Sequence, residues 1–175
     1  FEPKNHEVIK DIGNTYLAQG NKKAAIDCYE KSISIDENYA PSLTMLGNIE
    51  LLNGDRNQGL KHLIKATKAD PRLTVAWINL SNAYLMEGDL DKALKSINMA
   101  IELNPKQFNC YSYLGKIFIE MGRLKEAEVA LEKGIQINPR GADLHYLLGL
   151  IADKLNRMNK AEEALKNQLN SIQDS

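Results

Sequence analysis

No apolar run in this 175-residue chain is long enough to cross a bilayer; the longest, such as Leu147 to Ala152, extend a few residues, and that one is broken by Gly149. Charge of a single sign is missing too, since 22 Lys and Arg stand against 23 Asp and Glu. A nucleic-acid binder would carry a basic stripe. A membrane-surface protein would carry a polybasic or amphipathic anchor. Neither is present, so no nucleic-acid partner and no direct membrane insertion are expected. Cysteine is scarce: Cys28 and Cys110 stand alone, offer no zinc spacing and no disulfide framework, and fit a reducing, cytoplasmic compartment. His6, His62 and His145 have no cysteine or acid at ligand or triad spacing, and a phosphate-loop motif is absent. Most carboxylates have a cation three or four residues away, as Asp91 has Lys95, the pattern of solvated helix surface. The sequence therefore predicts no catalytic, cofactor or metal site, and a chain that is not an enzyme.

What the chain does have is self-similarity with a period of 34 residues from His6 to Ser175. At the seventh position of each period stand Ile12, Leu46, Leu80, Leu114 and Leu148, and at the eighth Gly13, Gly47, Ser81, Gly115 and Gly149. The fifteenth reads Gly20, Gly54, Gly88, Gly122 and Asn156; the twentieth reads Ala25, Gly59, Ala93, Ala127 and Ala161. The copies are 6–39, 40–73, 74–107, 108–141 and 142–175, which together make one solenoid domain. Such a repeat buries its apolar face only by stacking on its neighbours.

Each copy reads as two helices. Trp77, Leu80, Ala83 and Tyr84 recur at helical spacing, as do Ala93, Ile97, Ala100 and Ile101. Between them Gly88 supplies the left-handed residue that ends a helix, and Asp89 can cap the next one. Asn156 and Arg157 are expected to make the equivalent turn in the last copy. The second helix stops where Asn104 meets Pro105, because proline restricts the residue before it and cannot donate to a continuing helix. A glycine in mid-helix costs about 1 kcal/mol relative to alanine. Its recurrence at the eighth position predicts a close approach to the paired helix at Ala25, Ala93, Ala127 and Ala161. Gly59 and Glu50 break the pattern in the second copy, which is expected to be the loosest packed. At the start, Pro3 and Phe1 fall in register with Pro71 and Ile35, so residues 1–5 are expected to be the tail of an upstream repeat or helix.

The series Trp77, Leu80, Ser81, Tyr84, Gly88, Ala93, Ala100, Pro105 resembles the tetratricopeptide repeat, and the resemblance covers all five copies. It implies an all-α fold, a right-handed superhelix of five helix-turn-helix repeats, with first helices lining a concave groove and second helices forming the convex back. It also implies a non-enzymatic scaffold that holds a protein or peptide ligand in that groove.

On the first helices, Asn14, Asn48 and Asn82 share one row continued by Lys116, and Lys10, Thr44, Ile78, Ser112 and Tyr146 form another. A carboxamide both donates and accepts, so an asparagine ladder can hold a peptide backbone without reading its side chains. Asn79 and Tyr113 complete the expected peptide-binding set. Towards the C-terminal half the surface turns apolar through Leu85, Met86, Tyr113, Ile119, Tyr146 and Leu147, the character of a contact surface. Lys10 and Asn14 match the first cation and amide of the carboxylate clamp found in cochaperone members of the family. Met45, Val75 and Asn79 depart from it, and two missing cations remove the charge-assisted bonds such a clamp needs.

A narrower resemblance rests on Gly59, the Asn104, Pro105, Phe108, Asn109 series with Leu114 and Gly115, and His145. It is similar to the MamA family of magnetosome-associated proteins. That likeness implies a bacterial protein, peripheral on the cytoplasmic side of a magnetosome membrane, that self-assembles when an N-terminal segment of one copy enters the groove of another. The alternative expectation is a partner-recruiting region of a larger enzyme, such as a glycosyltransferase, or a cochaperone-like adaptor.

Overall fold

The structure, a computed structural model, describes residues 5–173, with side chains described as far as residue 159. The upstream tail expected at residues 1–5 lies, but for Asn5, outside the described residues, and so does the side chain of Ala161. Every regular element among the described residues is an α-helix. Two units are distinguished. The first, Phe1–Pro105, holds α1 (Asn5–Ala18), α2 (Lys22–Ile35), α3 (Ala40–Asn53), α4 (Arg56–Ala69), α5 (Thr74–Glu87) and α6 (Leu90–Leu103). The second, Lys106–Ser175, holds α7 (Phe108–Glu120), α8 (Leu124–Ile137) and α9 (Ala142–Gln173). Helices α3, α5, α7 and α9 start 34 residues apart, and so do α2, α4, α6 and α8, so the sequence period is the period of the elements.

The turns inside the pairs are built as the residues demand. Gly20, Gly54, Gly88 and Gly122 adopt φ of 78°, 93°, 78° and 72°, a region in which no other described residue is found. Asn21, Asp55 and Asp89 then cap α2, α4 and α6, their side-chain oxygens accepting from the amides of Ala24, Gln58 and Lys92. After α2, α4 and α8 a second device follows: Asp36, Asp70 and Asn138 turn back to accept from the amides of Asn38, Arg72 and Arg140. The chain is thereby returned to start the next first helix.

Within each unit, first and second helices pair, and each new first helix also packs on the second helix before it: α3 on α2 and α5 on α4 in the first unit, α9 on α8 in the second. Leu51, Leu63, Leu80 and Ala83 form one such junction; Leu124, Ala127, Leu131, Leu144, Leu147 and Ile151 form another. The eighth-position glycines do serve close approach, though not chiefly to the expected alanines. A Cβ on Gly13 would lie 2.8 Å from the Tyr29 ring, and one on Gly115 would lie 2.5 Å from Leu131. The glycine makes room for the large residue that plugs the middle of the pair. Ser81 instead donates from its hydroxyl to the Ala93 carbonyl at 2.9 Å, joining the backbones of α5 and α6.

The second pair is not loose. A Cβ on Gly59 would stand 2.7 Å from the Gly47 carbonyl oxygen, and one on Gly47 would stand 2.9 Å from that of Gly59. Two facing glycines bring the backbones of α3 and α4 into contact, so the second glycine tightens the pair where an alanine deficit had suggested a gap. Glu50, at a position held by tyrosine or phenylalanine in other copies, is bonded to His62 Nδ1 at 2.7 Å.

The last copy departs from the expected hairpin. No turn forms at Asn156 and Arg157; α9 runs through them to Gln173 as one helix. The reason is local. Arg123 also lacks a capping side chain, yet Gly122 still makes its turn. At 156–157 both the glycine and the cap are missing, and Arg157 pairs with Asp153 across the intended break at 2.9 Å. With nothing to accept the amides that a break would free, continuing the helix satisfies them at lower cost.

Candidate protein-binding surface

In the first unit the expected site residues lie on α1, α3 and α5, of which α3 and α5 pack together. Asn48, Asn79 and Asn82 are half-buried there. Asn82 Nδ2 approaches Met86 Sδ at 3.9 Å, a weak contact one turn along its own helix. Asn14 is engaged differently: its Oδ1 accepts from the Tyr29 hydroxyl at 2.8 Å, tying α1 to α2. Burial raises the pKa of that hydroxyl, which keeps it a donor. Lys10 pairs with its neighbour Asp11, whose hydrogen bond raises the lysine's pKa.

In the second unit the structure brings Lys116 and Tyr113 together, the ammonium 5.1 Å from the ring centroid. Tyr113 titrates above its ordinary value because it is desolvated by burial, with Asp143 adding to the effect. Tyr146 projects into solvent at 72% exposure. The apolar stripe is less continuous than expected, since Leu147 is buried in the unit's core and Ile119 packs against that core.

Thr44, Ile78 and Ser112 are corrections. All three are buried, so they are structural and not available to a peptide. Their row faces packing because successive first helices also touch one another, α3 against α5 and α7 against α9. Thr44 donates back to the Ala40 carbonyl at 2.8 Å, and Ser112 donates to Asp143 Oδ2 at 2.5 Å, bracing α7 against α9. Asn48 and Asn82 in the first unit, and Lys116 in the second, stay half-buried.

One feature was not reached from the sequence. Between α2, α3 and α4 lies a cavity of about 540 Å³ lined by Glu30, Ile33, Ser34, Leu46, Glu50, Gln58 and His62. Its signal was the carboxylate of Glu50 at an otherwise aromatic position. Burial raises the Glu50 pKa, against the lowering effect of the bond from His62. Among the described residues no group of three or more His, Cys, Asp or Glu could hold a metal ion. Nor, among them, is any helix long and apolar enough to cross a membrane.

Pairs of near-equal helices, glycine turns and a 34-residue element period agree with a family model: the cilia and flagella-associated protein 70 C-terminal domain matches residues 4–174. The chain belongs to this tetratricopeptide family. No curated protein sequence matches it significantly. Among solved structures it is similar to MamA, at 26% identity and a TM-score of 0.74, over 93% of this chain and 89% of that one. A MamA fragment from Desulfovibrio magneticus RS-1 is similar at 19% identity over 97% of both chains, with a TM-score of 0.75, which shows the fold alone. The tetratricopeptide domain of Sgt2 from Aspergillus fumigatus is similar at 24% identity and a TM-score of 0.66, over 69% of this chain and 82% of that one, again showing the fold. The tetratricopeptide fold is that of a protein-interaction scaffold, and its members are typically non-enzymatic.

Proposed function

We infer that this tetratricopeptide chain holds an extended or helical segment of another protein against its first helices, with Asn48 and Asn82 bonding the segment's backbone. In the first unit Asn79 and Lys10 flank the asparagines; in the second, Lys116, Tyr113 and Tyr146 offer charge and aromatic contact of their own. The observation that carries this reading is made in each unit by itself: Asn48 and Asn82 stay half-buried and polar while Thr44 and Ile78 are absorbed by packing, and Lys116 stays half-buried while Ser112 is absorbed. A carboxamide at the edge of an apolar surface has both hydrogen-bonding roles to offer. Asn14 contributes through its amide, its oxygen being occupied by Tyr29.

The most specific form of the proposal is a MamA-like scaffold, bacterial and peripheral on a magnetosome membrane, in which an N-terminal segment of one copy occupies the concave groove of the next. The 26% identity to MamA over 93% of the chain supports it. Domain limits at 6–39, 40–73, 74–107, 108–141 and 142–175 belong to the same proposal.

The test is selection from a random peptide display library on the wild-type chain, followed by titration of the selected peptides. Asn48→Ala/Asn82→Ala/Lys116→Ala should lose at least about tenfold in affinity, the equivalent of one good hydrogen bond to a charged or polar partner. Its helicity should be unchanged. Peptides that bind both forms equally would overturn the reading.

A further inference from the structure

In the third and fourth copies the eleventh position of the period holds an aromatic ring, and the chain lays one of its own cations on that ring. Lys92 Nζ lies 5.4 Å from the centroid of Tyr84, and the guanidinium carbon of Arg123 lies 4.6 Å from that of Phe118. Both cations come from the start of the paired second helix. The second copy departs at each of these places. Glu50 stands where the rings do, Gln58 where Lys92 does, and Asp55 where Arg123 does. The arginine at this turn, Arg56, is engaged elsewhere: its Nη1 donates to the Met86 carbonyl at 3.2 Å.

A carboxylate fills less space than a ring, and Glu50 lines the cavity of about 540 Å³ between α2, α3 and α4. Ile33 and Leu46 give that cavity an apolar wall, and Glu30 and Gln58 add to its polar lining. The side chains of Glu50 and His62 are 18% and 20% exposed, so a charge placed beside them is only partly screened by water. The bond between Glu50 Oε2 and His62 Nδ1 occupies one of the roughly four lone-pair sites of a carboxylate. Among the described residues no buried side-chain oxygen lacks a hydrogen-bond partner, so the remaining acceptor capacity of Glu50 faces accessible space. Nor, among them, does any lysine or arginine pair with Glu30 or Glu50; Lys65, one turn on from His62, reaches Glu37 at 3.9 Å instead. Burial raises the pKa of Glu50, and the charges of Asp55 and Glu30 raise it further, as expected of carboxylates that share a space without a cation.

We propose that this cavity receives the guanidinium of an arginine side chain from a partner protein, held by Glu50 and Glu30 with its stem against Ile33 and Leu46. The occupant is fixed by charge and by the repeat itself: the third and fourth copies place a cation of their own here, and the second copy offers carboxylates and no cation. Acceptors on more than one side of the space suit a planar group with five donors, and a guanidinium is more weakly hydrated than an ammonium. The apolar wall takes the methylene stem that a long cationic side chain brings with it. The site uses residues apart from the asparagine row and would stand if no peptide bound there.

The experiment is an NMR titration of the whole isotope-labelled chain with a blocked tripeptide, arginine between two alanines. The same peptide with citrulline or lysine at its centre, and free arginine, serve as comparisons. The arginine peptide should give saturable shifts in the amides of residues 30–34, 46–50 and 58–62. The citrulline peptide, of the same shape without the charge, should bind at least about tenfold more weakly, and the lysine peptide should also bind more weakly. Glu50→Gln should weaken the arginine peptide by at least about fivefold, and Glu30→Gln by at least about twofold. Glu30 is exposed, so its variant keeps the test decisive should Glu50→Gln disturb the fold. Absence of saturable shifts at these amides overturns the proposal. So does equal binding of the citrulline or lysine peptide, or an affinity that neither variant changes. Binding of free arginine without the blocked peptide overturns it too, since the site would then take a small molecule and not a partner's side chain.

Discussion

Glycine means different things at positions that look alike in this sequence, and substitution by alanine separates them. Gly59→Ala places a methyl group 2.7 Å from the Gly47 carbonyl oxygen and 2.9 Å from Leu51, where no flexible side-chain end can simply swing away from the backbone contact. It should destabilise the chain by about 1–3 kcal/mol, read from urea midpoints. Gly149→Ala meets nothing within 4 Å inside α9 and should stabilise by up to about 1 kcal/mol, the helix-propensity gain. A loss at Gly149 equal to that at Gly59 would refute the distinction. The Glu50–His62 pair makes a prediction of its own. Because burial raises the Glu50 pKa, the folded chain holds that proton more tightly than the unfolded chain does. The stability contributed by Glu50 is full below the ordinary carboxylate range and is lost as pH rises through the folded pKa. Glu50→Gln should therefore flatten the decline in urea midpoint above about pH 4. An unchanged or steeper decline would show that Glu50 is ionised as readily in the folded state. Cys110, whose thiol is pushed up to about 11 by burial, should resist alkylation at neutral pH.

Among the helices, the turns are decided by pairs of residues acting together. Gly122 makes its turn without a cap from Arg123, while Asn156 and Arg157 together fail. Substituting Asn156→Gly and Arg157→Asp restores both devices, the left-handed residue and the cap. Spin labels at residues 146 and 170 should lie roughly 36 Å apart along the straight helix, at 1.5 Å per residue. In the double variant that distance should shorten as α9 folds back over Gly149. A distance that stays put would mean that the hairpin is opposed by packing and not by the missing turn chemistry. Removing a working cap should act in the ordinary way: Asp89→Ala, which loses the bond to the Lys92 amide, should cost about 1 kcal/mol.

For the molecule as a chain of stacked pairs, stability is carried by neighbours and should fail locally. Gly115→Ala drives a methyl group to 2.5 Å from Leu131 and should lower hydrogen-exchange protection in α7 and α8 well before it does so in α1 to α4. Equal loss throughout would show a cooperativity that nearest-neighbour junctions do not provide. The helix pairs as far as α8 and four of the turns were legible in the residues, because glycine and proline act on the backbone they belong to and the apolar spacing is that of the helix itself. The first-helix rows were legible only as rows. Whether a row faces a ligand or a neighbouring helix depends on helices 34 residues away, and so Thr44, Ile78 and Ser112 proved to be buried while Asn48, Asn82 and Lys116 did not. Contact between facing glycines at 47 and 59, and a last copy that stays one helix, were likewise fixed by what lies across the pair or is missing there. Local chemistry sets the period and the turns; burial, which needs a partner in space, decides which polar groups are left to bind one.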